Sequence, residues 1–123
     1  MMAEKHETGK KGEEVACMYL KMCGFKILHT NWRFHHYELD IVATNGKELV
    51  VIEVKTRSKN YLLHPEDAID RRKILRITTA TDAYIRQNRI NMPVRFDVLC
   101  LIKDHLAYTV DRHFEDAFFA PIR

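Results

Sequence analysis

The chain has 123 residues, enough for one domain with a single sizeable core, and no second domain is expected. Its 46% hydrophobic and 30% charged residues are those of an ordinary soluble globular protein, and a formal charge of +3 does not by itself establish a nucleic-acid binder. Cys17, Cys23 and Cys100 are odd in number and form no Cys-x-x-Cys pair, so neither a disulfide framework nor a zinc ribbon is indicated. They read as reduced thiols of a cytoplasmic protein, and no long apolar run follows Met1-Met2-Ala3-Glu4-Lys5, so neither a signal peptide nor a membrane span is expected.

Residues 1–11 are polar and mixed in charge and are expected to be loose. From Glu13 a helical pattern begins. Val15, Ala16, Met18, Tyr19, Leu20, Met22 and Cys23 form a broad apolar stripe, and Gly24 supplies a C-terminal cap before Phe25. Read alone, Glu13 is an acid in a helix's first turn, favoured by the macrodipole. Phe25 to Phe34 reads as a first strand with an irregularity at Thr30-Asn31. His35-His36 invites a metal-ligand reading, but neighbours in a strand face opposite sides and cannot easily share one ion.

A hairpin follows, Tyr37 to Ala43 and Leu49 to Lys55, with Asn45-Gly46 as the signal for a two-residue type I′ turn. That turn sets Thr44 opposite Lys47, Glu38 opposite Glu53 and Asp40 opposite Val51. Strand alternation then places Glu38, Asp40 and Val42 on one face with Leu49, Val51, Glu53 and Lys55. Leu39, Ile41, Ala43, Val50, Ile52 and Val54 take the other, wholly apolar face. Like charges gathered on one face are a conflict that a divalent cation would remove.

After Lys55 the chain turns polar through Thr56-Arg57-Ser58-Lys59-Asn60. Pro65 suits a helix's first turn, and Ala68, Ile69, Ile74, Leu75, Ile77, Thr81, Tyr84 and Ile85 repeat as in a long amphipathic helix ending near Asn88. Arg71, Arg72, Lys73 and Arg76 make its polar face basic, where a solvated face and phosphate contacts are both open readings. Asn91-Met92-Pro93 ends the pattern. Val94 to Ile102 is a near-continuous apolar strand, Leu106 to Val110 its antiparallel neighbour, and Phe114 to Pro121 a further short helix or cover. The expected class is α/β, in the order helix, three strands, long helix, two strands, with one mixed sheet between helices.

Asp40 followed by Glu53-x-Lys55 on the next strand is the layout that a metal-dependent phosphodiesterase needs. Two carboxylates can hold Mg²⁺ by hard oxygen ligands, and Lys55 can orient or deprotonate the attacking water. Glu38 stands second to these, as a proton or water partner.

Taken together, the chain resembles the PD-(D/E)xK nuclease superfamily. Gly12-Glu13, Ala16, Tyr19-Leu20, Glu38 to Val42, Val51 to Arg57, Lys73 and Arg95-Phe96-Asp97-Val98 look like its YraN-like uncharacterised family. The chain is more distantly similar to archaeal Holliday-junction resolvases. The resemblance implies a restriction-endonuclease-like three-layer fold, a mixed central β-sheet flanked by helices. It implies an endonuclease dependent on Mg²⁺ or Mn²⁺ that hydrolyses DNA phosphodiester bonds, on branched or single-stranded DNA. It also implies Glu13 as a third metal ligand beside Asp40 and Glu53. Where the family usually has Gly before the Glu-x-Asp element this chain has Tyr37, which is expected to crowd the approach. Arg33, Arg57, Lys59, Arg72, Lys73, Arg76 and Arg95 are candidates for DNA backbone contacts, with a plain surface charge as the alternative for each. A second reading is an inactive DNA-binding accessory protein with the nuclease fold, and a third is a protein-interaction module using the sheet edge. Symmetric cutting of two strands would require a homodimer.

Overall fold

The computed structural model describes residues 2–59 and 70–120, with side chains from Gly9 onward. In chain order the elements are α1 (Met2–Met22), β1 (Lys26–Phe34), β2 (Tyr37–Thr44), β3 (Leu49–Ser58), α2 (Arg71–Asn88), β4 (Val94–Asp104) and β5 (Ala107–Phe118). The strands form one sheet in the order β1-β2-β3-β4-β5. β3 and β4 run parallel and the other neighbouring pairs antiparallel. A parallel pair cannot be joined by a tight turn, and α2 lies in the crossover between β3 and β4. This is the expected α/β arrangement and order of elements.

Each helix covers one face of the sheet. Ala16 and Leu20 of α1 pack on Ile41, Ala43, Val50, Ile52, Leu99 and Leu101. Ile77, Ala80 and Tyr84 of α2 pack on the cluster of Leu39, Val42, Leu49, Val51, Phe96, Val98 and Cys100. The buried run Leu49–Glu53 on β3 is apolar on both sides because both sides are covered. Gly24 caps α1 as expected, with a φ of +93° that admits the reversal in which the Phe25 N–H reaches the Leu20 carbonyl at 3.0 Å. At α2 the Asp70 carboxylate accepts from the Lys73 N–H at 2.8 Å, and Arg89 closes the far end in the left-handed region.

Four expectations are corrected. α1 begins at Met2 rather than Glu13, so the polar first residues are helical. Phe114 to Phe118 continues β5 instead of forming a helix, because it still pairs with β4 (Val98 with Phe114, Phe96 with Phe118). His35 and His36 are the two-residue turn between β1 and β2, closed by the Phe34–Tyr37 pair, not strand neighbours. The expected helix positions Pro65, Ala68 and Ile69, and Pro121, lie outside the described residues.

The fourth correction is the register of the β2–β3 hairpin. The last pair is Thr44–Leu49, not Thr44–Lys47, and Val42 faces Val51. The loop therefore holds four residues. Asn45 explains why: its side-chain oxygen accepts from the N–H groups of Lys47 (2.9 Å) and Glu48 (2.8 Å), and the Thr44 hydroxyl bonds the Glu48 carbonyl at 2.8 Å. These local bonds outcompete a tight type I′ turn. A slip of two residues keeps side chains on their faces, whereas a slip of one would have exchanged them.

Candidate active site

With the register set by Val42–Val51 and Ile41–Ile52, the next position on β2, Asp40, comes level with Glu53. The ladder stops there. Asp40 Oδ2 accepts from the Val54 N–H at 2.9 Å, so a side-chain oxygen replaces the backbone acceptor that the ladder would have supplied. Alternation along β2 also breaks at this point: Leu39 joins the α2-side cluster and Ile41 the α1-side cluster, although they are two residues apart. The expected placement of Leu39 with Ile41 on one apolar face, and of Glu38 and Asp40 on one face with Glu53 and Lys55, is therefore corrected. The break lets Asp40 line a cleft on the α1 side while remaining a neighbour of Glu53, which belongs to the α2-side row of β3.

The cleft has a volume of 510 Å³ and is lined by Gly9, Lys10, Glu13, Asn31, Arg33, Glu38, Asp40, Val54 and Thr56. Three of the sequence candidates, Glu13, Glu38 and Asp40, thus meet in one concavity. Gly12 makes the approach of α1 feasible, because a Cβ there would stand 3.3 Å from Thr56 Oγ1 and 3.6 Å from Leu101 Cδ1. Glu13 is brought to the wall of the cleft next to it, where its carboxylate accepts a hydrogen bond from Asn31 Nδ2. Glu38 is held by Arg33 at 2.8 Å. Tyr37 does not crowd this space: it packs against the α2-side cluster.

Glu53, Lys55 and Lys73 are not among the lining residues, and beside Asp40 on the α2 side charges are crowded. Glu53 is buried, its side chain 6% exposed, and its Oε1 lies 2.5 Å from Lys73 Nζ. Burial, and then the charge of Glu53, push the Asp40 carboxyl up to about 7. Lys55 is lowered from the ordinary lysine value, first by burial and then by the neighbouring Lys73 ammonium. Burial pulls Lys73 down as well, but its bond to Glu53 together with the charges of Glu53 and Asp40 and its contact with Lys55 leaves it raised. Asp40, Glu53, Lys55 and Lys73 are accordingly one electrostatic unit.

A hard divalent cation fits the chemistry of Asp40 and Glu53. They offer neighbouring carboxylate oxygens, one of them already paired with the Lys73 ammonium, and Mg²⁺ is commonly held by one or two carboxylates with its waters retained. Among the described residues no group of three or more His, Cys, Asp or Glu side chains is gathered to hold a metal, so Glu13 shares the cleft without closing a three-carboxylate cage.

The basic candidates divide. Arg33 is on the cleft wall, and Arg72 and Arg76 are exposed on α2. Lys59 pairs with Asp104 at 3.3 Å, and Arg57 donates to the Thr56 carbonyl at 3.0 Å. Lys73 belongs to the carboxylates. Arg95 has a different job from phosphate contact. Only 15% exposed, it bonds both oxygens of Asp97 at 2.9 Å and lies over the Phe25 ring. Asp97 also meets His113 Nε2 at 2.8 Å, and His113 Nδ1 meets the Tyr19 hydroxyl at 2.9 Å, tying α1 to β4 and β5. Burial would raise the Asp97 carboxyl, but its bonds to His113 and Arg95 hold it below the usual range.

Asn31, Thr56 and Lys10 were not singled out by sequence reasoning as site residues. The one signal was the irregularity at Thr30-Asn31: β1 shifts register between Ile27 and His29, and Asn31 takes a left-handed φ of 51°.

The defining pattern of the uncharacterised protein family UPF0102 matches residues 12–101, which include α1 from Gly12, the hairpin, α2 and most of β4. The chain belongs to UPF0102. This is the YraN-like group that the motifs resembled. A UPF0102 protein of Parabacteroides distasonis is 53% identical over 122 residues, covering 99% of this chain and 100% of the relative. UPF0102 proteins of Phocaeicola vulgatus and Bacteroides thetaiotaomicron are 48% and 46% identical over 121 residues, each covering 98% of this chain and 99% of the relative. No described helix is long and apolar enough to cross a membrane.

Proposed function

We propose that this UPF0102 chain is a metal-dependent endonuclease that hydrolyses DNA phosphodiester bonds, on branched or single-stranded DNA. The observation that carries the reading is the placement of Asp40 level with Glu53 on neighbouring strands, beside Lys73 and a Lys55 whose ammonium is disfavoured by burial, next to an open cleft lined by Lys10 and Arg33 as well as Glu13 and Glu38. Asp40 and Glu53 would hold Mg²⁺ or Mn²⁺, which when bound polarises the phosphate and acidifies water. Lys55 is the group for the proton. With its ammonium form disfavoured by burial and by Lys73, it can accept a proton from the attacking water and, once charged, stabilise the phosphorane. Lys10 and Arg33, the latter on exchanging its Glu38 partner, would meet backbone phosphates, and Asn31 and Thr56 can donate hydrogen bonds to phosphate oxygens. Glu13 lines the same space and, through its bond to Asn31, fixes that wall. A homodimer would let two such clefts address two strands.

The test is a cleavage screen over branched, flapped, single-stranded and duplex DNA with Mg²⁺ and Mn²⁺, beside the Lys55→Ala variant. Wild type should cut, and Lys55→Ala should lose roughly 10²–10⁴-fold in rate. Absence of cleavage on every substrate, with no Mn²⁺ binding by calorimetry, would sink the enzyme reading. Salt-dependent DNA binding without cleavage, left intact by Asp40→Asn, would instead support an accessory DNA-binding role.

A further inference from the structure

Lys73 is in an odd place for a lysine. It lies in the first turn of α2 behind Arg71 and Arg72, where the helix dipole is positive and the N-cap Asp70 is the one acidic residue beside it. Its backbone N–H is pinned by the Asp70 carboxylate at 2.8 Å, which fixes where the side chain leaves the helix. From there the ammonium reaches Glu53 Oε1 at 2.5 Å, meeting a carboxylate that is 6% exposed. Arg72 and Arg76, on the same helix, remain exposed. Lys73 alone is turned onto the carboxylate pair.

We propose that Lys73 is the resident counter-ion of the Asp40–Glu53 pair, a tethered cation that a divalent ion must displace, so that the first turn of α2 gates loading of the site. The inference rests on the reading that these carboxylates bind a divalent cation. An ammonium suits the task. It is a compact charge on a flexible stem that can neutralise a carboxylate in the empty site and swing aside without moving the backbone. Without it, two carboxylates would face one another partly shielded from water, a costly arrangement. Lys73 thus lowers the cost of the empty site and, by the same contact, competes with the ion. Released from Glu53, it would leave a positive charge at the mouth of the site, available to a phosphate.

The experiment is calorimetric titration of Mn²⁺ into wild type, Lys73→Gln, Lys73→Arg and Arg76→Gln, with thermal melts of each in chelator and in Mn²⁺. Lys73→Gln should bind Mn²⁺ more tightly, on the order of tenfold. It should melt lower than wild type in chelator and recover most of that loss when Mn²⁺ is added. Lys73→Arg, which keeps a cation against Glu53, should show no gain in affinity. Arg76→Gln removes a charge from the same helix without vacating Glu53 and should gain little. If wild type binds Mn²⁺ and Lys73→Gln binds it no better, or if Arg76→Gln gains as much, the displacement idea is wrong while the metal reading stands. If neither wild type nor a folded Lys73→Gln binds Mn²⁺, both fail.

Discussion

A carboxyl buried beside a second carboxylate prefers its protonated form, and Asp40 accordingly rises from an ordinary 3.8 to about 7, first through burial and then through Glu53. The folded value lies above the unfolded one, so the stability linked to this group is fully present below about pH 4 and is lost as pH climbs toward 7. Between those limits the folded chain holds a proton that the unfolded chain has already released. Asp40→Asn removes the titration while leaving an oxygen that can accept from the Val54 N–H. In chelator the variant should be more stable than wild type at pH 8, on the order of 2 kcal/mol, and nearly equal to it at pH 4. Thermal melts of both proteins across that range measure the difference. A gap that does not depend on pH would mean that Asp40 carries no such strain. The same residue shows why charge state is hard to read from sequence: the spacing of Asp40, Glu53 and Lys55 reveals candidate chemistry, but the burial that shifts them comes from elements distant in the chain.

At the scale of elements the β2–β3 loop decides which carboxylates meet. Asn45 accepts two backbone N–H bonds through one side-chain oxygen, and Gly46 takes a φ of +92° between them. Asn45→Ala leaves both donors without that partner in an exposed turn, which should cost about 1–2 kcal/mol with an unchanged denaturant slope. Denaturant unfolding checks this, and a loss under a few tenths of a kcal/mol would mean that the turn is held by its strands instead. The loop also marks the limit of legibility. Asn-Gly correctly announces a hairpin, and alternating β-branched residues correctly announce its arms, but Thr44 and Glu48 supply extra bonds that widen the loop from two residues to four. Period-two patterning survives that error because the slip is even. The break in alternation at Asp40 left no mark in the pattern, since Leu39 and Ile41 are both apolar and differ only in which helix they meet. Lys73 looked like one cation among four on a basic helix face, and its partner Glu53 is 20 positions away on another element. Asp97 is a charge within an otherwise apolar strand, and its partners Arg95 and His113 explain why it is tolerated there.

For the whole molecule the question is how strongly a chain of net charge +3 can hold a polyanion. Of the seven cations proposed for phosphate contact, Lys73 is bound to Glu53 and Arg95 is turned inward onto Asp97. Arg33 and Lys59 share their charge with Glu38 and Asp104, respectively. Arg57 donates to the Thr56 carbonyl, and Arg72 and Arg76 are exposed on α2. An effective contact number of about three to four phosphates then gives log K against log salt a slope of roughly −3 for duplex DNA. Affinity should fall by about 50–100-fold between about 50 and about 200 mM salt, as followed by fluorescence anisotropy of a labelled oligonucleotide. Arg72→Ala and Arg76→Ala should each flatten the slope by about one, whereas Arg95→Ala should lower stability and leave the slope of the folded protein unchanged. The contrast separates a surface cation from an internal one. Equal effects of Arg76→Ala and Arg95→Ala on the slope would overturn this division of the charges, and a slope near zero would remove DNA as the partner. A slope that holds while Asp40→Asn abolishes cleavage would place binding and chemistry on different residues, as expected if the cationic surface positions the strand and the Asp40–Glu53–Lys55 unit acts on it.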